Sequence, residues 1–347
     1  MELEKLSYDS VKHVLRHLDL ITREKIHMKI PDLRKTNALI LYNLKSVTLG
    51  NHHLDVEGRE WNITVATEEV RERQVNPEDG NIENIITFIE ILGKSSVRFN
   101  SGENRFQHDV DGSPDDSFKR LVDGYLKNGT IIDKFSMFSF PACWEGRDPE
   151  KFKIRVNELN ARNSNWETFR KFLPYFDQSV PLRQVAFIFR NVFRQFFNEP
   201  MILNSQEIVL YFPYRDPDPI DDLFLTLPQK HISITYLNFP IEKIRELAAH
   251  WKDTGKPIGQ RFSLAIADYG YVIQVHNHLK EHLGAIPSKV TSLGTSYFAH
   301  SVTIPINEES EIVVYGGKKT TKWPPFMWTF KMDVMSRGST VPKPLSQ

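Results

Sequence analysis

Between residues 232 and 267 the chain changes hydrophobic period twice, which sharply limits what it can fold into. The stretch reads ISITYLNF, then PIEKIRELAAHWKDTGKPIG, then QRFSLAIA. In the first piece Ile232, Ile234 and Tyr236 alternate with other residues, the period of a half-buried strand. Pro240 follows where a helix can begin, because its missing N–H would have no intrahelical partner there. Ile241, Ile244, Leu247, Ala248 and Trp251 then recur on one helical face. Asp253, Thr254, Gly255 and Pro257 end the helix, with Gly255 free to take the left-handed cap conformation. Phe262, Leu264 and Ile266 resume the alternation. Strand, helix, strand in this order predicts α/β architecture, with Trp251, Leu264 and Val209 inside.

The unit repeats upstream. Strands are predicted over 131–140, 152–159, 183–189, 207–212, 232–239 and 262–267, with helices over 165–172, 220–225 and 241–251. The matched centres Val156, Val185, Val209, Ile234 and Leu264 are separated by 29, 24, 25 and 30 residues. Such a period, with one strand and one helix each, fits a short solenoid near leucine-rich-repeat spacing. The L-x-x-L-x-L-x-x-N signature is missing, and an open α/β sheet with irregular crossovers fits as well. A further helix is predicted over 271–283. Three strands follow at 297–306, 311–315 and 327–334, then a frayed tail from Ser336.

The first 130 residues have a different character. Residues 5–34 read as helical, with Tyr8, Val11, Val14, Leu15, Leu18 and Ile21 at helical spacing and Asp9 or Ser10 as start cap. A second short helix fits 23–28, ending before Pro31. LKSVTL, HLDVEG and REWNITVA read as short strands between turn residues. EEVRERQVNPEDGN, residues 68–81, reads as a mobile loop, and IENIITFIEIL, residues 82–92, as a helix. SVRFN is a strand, residues 101–116 a polar loop, and SFKRLVDGYL a helix. The resulting division is a helical segment at 1–40, a strand-rich α/β subdomain at 41–130, a strand–helix body at 131–290, and C-terminal strands with a tail at 291–347.

Composition narrows the function classes. Lys plus Arg equal Asp plus Glu at 44 each in 347 residues. A neutral chain exerts no overall pull on nucleic acid or anionic membrane. Cys143 stands alone, which fits a reducing compartment. No apolar run approaches the ~20 residues of a membrane span. The opening MELEKLSYDS is unlike a secretory leader. The expectation is an intracellular protein, cytoplasmic or nuclear, without nucleic-acid or membrane partners.

Catalytic patterns are few. His278-Leu279-Lys280-Glu281-His282 matches H-x-x-E-H, in which two histidines on one helical face hold zinc and the glutamate acts as base. The buried stripe Val272, Val275, Leu279, Leu283 turns these residues outward, and no third ligand is signalled downstream. A zinc-dependent hydrolase is therefore the least favoured reading. Asp109-Val110-Asp111-Gly112 has its glycine too early for a calcium loop and reads as an acidic turn. A lone cysteine is more often a packed residue than a nucleophile. Gly259 reads as a backbone-geometry position. KKTTKWPPFMW, residues 318–328, and the acidic proline loop PYRDPDPIDD, residues 213–222, read as connectors. No catalytic, cofactor-binding or metal residue is assigned, and no cofactor is expected.

Several segments together resemble a known family. LSYDSVKHVLRHLDLITREKIHMKIPDLRK, FKRLVDGYLKNGTIIDKF, LPYFDQSVPLRQV, IEKIRELAAHWKDTGKPIG, EIVVYGGKK and GSTVP are similar to the nematode-restricted F-box C family, over residues 5–342. Its members carry a short F-box-like N-terminus beside a large domain of unknown function. The resemblance implies a substrate-recognition subunit of a cullin–RING (SCF-type) ubiquitin ligase, not an enzyme. It implies an adaptor protein of that ligase and an unknown protein substrate as partners. Leu6, Leu15, Leu18 and Ile21 match the family's apolar positions that would meet the adaptor, with Pro31 closing the segment. Val11 and Val14 share with Leu15 and Leu18 a helical face that would either dock there or bury internally. The sequence departs from an F-box at Leu6-Ser7, where Leu-Pro is usual, in lacking tryptophan over residues 24–36, and at Leu41, where the family has proline. An interaction protein of the same fold that does not bind the adaptor is the alternative.

Overall fold

The computed structural model describes residues 8–75, 82–188, 196–212, 223–236, 239–290, 297–318 and 328–342. The chain forms two compact units, Met1–Val180 and Pro181–Gln347, with the division inside the 131–290 segment.

The first unit opens with three short helices, α1 (Tyr8–His17), α2 (Leu20–Lys29) and α3 (Arg34–Leu39). Helix α1 begins at Tyr8, so Asp9 sits in its first turn rather than before it. Asp19 caps α2 by accepting the Thr22 backbone N–H at 2.9 Å. That hydrogen bond holds the Asp19 carboxyl below its usual pKa. Strands β1 (Asn43–Gly50), β2 (His53–Val56), β3 (Arg59–Val75), β4 (Ile82–Ser101) and β5 (Asn104–Asp111) follow, each antiparallel to the next. Helix α4 (Pro114–Tyr125) then leads to β6 (Ile131–Met137) and β7 (Arg155–Asn160), which extend the sheet from β1 in parallel. Helix α5 (Trp166–Phe172) closes the unit.

Three expectations fail here. Residues 82–92 form strand, not helix. Five isoleucines, a threonine and a phenylalanine favour the extended state, and β3 supplies the ladder, with Glu68 opposite Ile89 and Glu69 opposite Phe88. The same ladder carries β3 through Val75, into the segment expected to be a loop. Residues 101–116 are not all loop either, since β5 pairs with β4 from Asn104 to Asp111. Gly102, at φ +60°, makes the connecting turn. Most of β5 is exposed on both faces, so no hydrophobic alternation marked it.

The second unit carries the repeated part. Strand β8 (Gln184–Ile188), helix α6 (Pro200–Leu203), β9 (Glu207–Tyr211), α7 (Leu223–Thr226), β10 (His231–Thr235), α8 (Ile241–Thr254), β11 (Arg261–Ile266) and α9 (Gly270–Leu283) come in turn. The four strands pair in parallel in chain order. Strands β12 (Ile286–Val290), β13 (Tyr297–Pro305), β14 (Ser310–Lys318), β15 (Trp328–Ser336) and β16 (Thr340–Pro342) complete it. Strand β15 pairs antiparallel with β11, and the order runs on through β14, β13, β12 and β16. The sheet is therefore mixed, as the open-sheet alternative allows. Part of the expected frayed tail is β16. Trp251, Leu264 and Val209 are buried as expected. Gly255 caps α8 at φ +62°, its N–H bonding the Trp251 carbonyl, and Gly259 at φ +90° also holds a left-handed backbone.

Helix α9 lies close on β14. A Cβ at Gly316 would fall 2.8 Å from Val272 Cγ2 and 3.0 Å from Tyr269 Cε2. A β-branched valine cannot swing aside cheaply. Gly316→Ala is expected to destabilise the protein by about 1–3 kcal/mol through overpacking, read as a lower urea midpoint. An unchanged midpoint would mean that α9 slides freely on the strand.

Candidate functional site

The N-terminal helices present an unusual surface. Seven of the eighteen large apolar side chains exposed among the described residues lie between 8 and 41. That is about a tenth of the chain, so the exposure is concentrated rather than scattered. Val14 is 49% exposed, Ile21 52%, Met28 64% and Leu39 72%, while Leu15 is buried at 2%. Val11 and Leu18 are half-buried, and Pro31 is exposed at the start of a short 3-10 turn. Leu6 lies outside the described residues. The expected contact residues thus divide. Val14 and Ile21 stand free, and Leu15 belongs to the interior.

Arg23 fixes this segment. Its side chain is buried, with Nε donating to Asn37 Oδ1 at 2.9 Å and Nη1 to the Leu41 carbonyl at 2.8 Å. Nη2 donates to the carbonyls of Asn37 and Ile40 at 3.0 and 2.9 Å. The Asn37 carbonyl also accepts the Ile40 N–H at 3.2 Å, and Arg23 of α2 adds donors there and at the two carbonyls that follow α3, so it caps that helix end. The guanidinium also sits 4.1 Å from the Tyr42 ring centroid.

Beside these helices is a cleft of about 600 Å³ in the first unit. Strand register builds its aromatic wall. Trp61 on β3 is opposite Phe99 on β4, and Phe99 is opposite Phe106 on β5, so the three rings share one face of the sheet. Their centroids are 5.1 and 4.7 Å apart. Tyr125 from the end of α4 continues the run, 5.4 Å from Trp61 and 6.0 Å from Tyr42. Glu24 of α2 ion-pairs with Arg59 Nη1 and accepts the Tyr125 hydroxyl at 2.8 Å. Arg59 Nε and Nη2 are buried without a hydrogen-bond partner in the protein. Burial, then the Glu24 charge, raises the Tyr125 pKa well above that of a free phenol. Lys127, whose pKa burial lowers, donates to the Ala38 carbonyl at 2.5 Å. The lining carries three permanent cations, Arg59, Arg120 and Lys127, against one carboxylate, Glu24.

The sequence motifs fall elsewhere. His278 and His282 on α9 have ring centroids 4.3 Å apart. Glu281 and His282 are exposed and His278 is half-buried. Among the described residues no group of three or more His, Cys, Asp or Glu side chains could hold a metal. Asp109–Gly112 is the end of β5 and the turn into α4, at φ +116° for Gly112. Residues 213–222 and 319–327, which hold the acidic proline loop and most of the cationic aromatic stretch, lie outside the described residues.

Cys143 sits in a 3-10 turn, and burial raises its thiol pKa to about 11 despite nearby Arg147. A catalytic thiol needs the opposite shift. Alkylation by iodoacetamide near neutral pH is expected to run roughly 10-fold to 30-fold slower than for a free cysteine, the rarer thiolate being partly offset by its greater nucleophilicity. A rate at or above that of glutathione would contradict this environment.

Residues 113–268, a little under half of the chain, match a family model described as a domain of unknown function, DUF3557. The search of curated proteins finds no match. The search of solved structures finds none either.

Proposed function

We propose that this protein is a protein–protein interaction module, the substrate-recognition subunit of a cullin–RING ubiquitin ligase, docking on the ligase adaptor through its N-terminal helices. The exposure of Val14, Ile21, Met28 and Leu39 on three short helices is the observation that carries this. A monomer gains nothing from leaving large aliphatic side chains in water. A partner groove gains roughly 1.5–3 kcal/mol for each one it fully buries. No catalytic step is part of the proposal.

The test is capture of the adaptor by co-expressed protein. Val14→Asp with Ile21→Asp is expected to abolish capture while leaving the fold intact, since both positions face water. Hot-spot residues are typically worth about 2–4 kcal/mol each, or roughly 30-fold to 1,000-fold in affinity. A folded double variant that captures the adaptor as well as the parent removes the docking face. A second reading, an interaction protein of the same fold that does not bind the adaptor, draws on Leu6-Ser7 in place of Leu-Pro and on the inward Leu15. A parent protein that captures no adaptor would establish it.

A further inference from the structure

We propose that the cleft lined by Trp61, Phe99, Tyr125 and Arg59 binds an aromatic carboxylic acid. This site borders the docking face, sharing Met28 with it, but its ligand is bound whether or not the adaptor docks. Three observations converge. The first is shape and composition. A cleft of about 600 Å³ is within the range of small-molecule sites. Its run of rings at 4.7 to 6.0 Å spacing offers faces and edges on which a further flat ring can stack.

The second is charge. Arg59, Arg120 and Lys127 outnumber Glu24, so the cleft favours an anion in a partly water-free setting. The third is the Arg59 guanidinium itself. Glu24 takes one end, at Nη1. The Nε–Nη2 edge, which matches the two oxygens of a carboxylate, has no acceptor and no water-accessible surface. A buried charged donor without an acceptor is unfavourable and gains when one arrives. Trp61 and Tyr125, both half-buried, are the rings that shift to admit it. In the bound state the guanidinium bridges Glu24 and the ligand carboxylate, with Arg120 and Lys127 balancing the second negative charge.

The same chemistry occurs in a free aromatic acid and in the C-terminal residue of a peptide ending in tryptophan or phenylalanine. Calorimetric titration of the full chain with 2-naphthoate, with N-acetyl-tryptophan and with a tetrapeptide ending in tryptophan separates these sources. Each acid is paired with its amide. At least one acid is expected to bind with a Kd of about 1 mM or tighter, and its amide about tenfold more weakly or worse. Binding of 2-naphthoate alone assigns a free acid, and binding of the tetrapeptide alone assigns a chain terminus. Arg59→Lys keeps the charge but loses the fork, and is expected to weaken the acid about tenfold without affecting the amide. If Arg59→Lys fails to fold, Phe106→Ser replaces it, because Phe106 is exposed at the cleft rim, and is expected to weaken both members of the pair. Equal binding of acid and amide, no binding of any acid at about 1 mM, or full-strength acid binding by the folded variant overturns the proposal.

Discussion

Replacing Arg23 by methionine is expected to destabilise the N-terminal helices by about 3–5 kcal/mol, one of the two largest effects in this chain. Methionine has a comparable reach and is apolar, so the loss is not one of volume. What disappears is the set of donors to Asn37, Ile40 and Leu41. Each buried acceptor left without a donor costs ~1–3 kcal/mol, and the Ile40 N–H that the Asn37 carbonyl retains at 3.2 Å keeps the total below the simple sum. Burial lowers the Arg23 pKa, so the site disfavours the charge that its hydrogen bonds and the Tyr42 ring must offset. Arg23→Lys retains the charge with one donor centre and is expected to lose roughly half as much. Limited proteolysis within residues 8–41, together with the urea midpoint, reads both. If Arg23→Met leaves the segment as resistant as the parent, then Leu15, Leu20 and Ile40 hold it by burial alone.

The parallel part of the fold was readable because burial there is one-sided and periodic. Strand β10 places Ile232 and Ile234 inside with polar neighbours half-exposed, and α8 buries the stripe ending in Trp251. Prolines and left-handed glycines mark the ends. The misreadings fall where burial gives no period. The β3–β4 ribbon beyond Val65 and the edge strand β5 are held by backbone ladders while most of their described side chains face water. Nothing then forces alternation, and charged or isoleucine-rich text reads as loop or helix. Strand β16 is short and pairs only at the end of its unit.

The candidate sites were legible in unequal measure. The sequence marks Val14, Leu15, Leu18 and Ile21 as one helical set, yet α1 ends at His17 and α2 begins at Leu20, so the set breaks between two helices. That break puts Leu15 inside and Ile21 outside. The aromatic cleft could not be found beforehand. Trp61 and Phe99 sit on strands that were anticipated, but their alignment with Phe106 requires β5, and Tyr125 joins only once α4 is docked. Arg23 carried no signal, because a buried arginine in a short helix looks the same in sequence as a solvated one.

The last large effect centres on Trp144. Its ring is fully buried among Phe152, Tyr175 and Phe172, with centroids 5.1, 5.3 and 5.6 Å away. Tyr175 donates its hydroxyl to the Trp144 carbonyl at 2.9 Å, which ties the 3-10 turn to the cluster. Trp144→Ala empties the largest side chain of this group and is expected to destabilise the protein by about 3–5 kcal/mol. Trp144→Phe behaves differently. Trp144 Nε1 is buried with no partner, so phenylalanine removes an unpaired donor as well as volume. The two changes oppose one another, and the net loss is expected to stay below about 1.5 kcal/mol. Urea midpoints of the two variants compared with the parent decide the matter. A phenylalanine variant as unstable as the alanine one would show that Nε1 has a partner, such as a bound water, and that the indole N–H contributes to the fold.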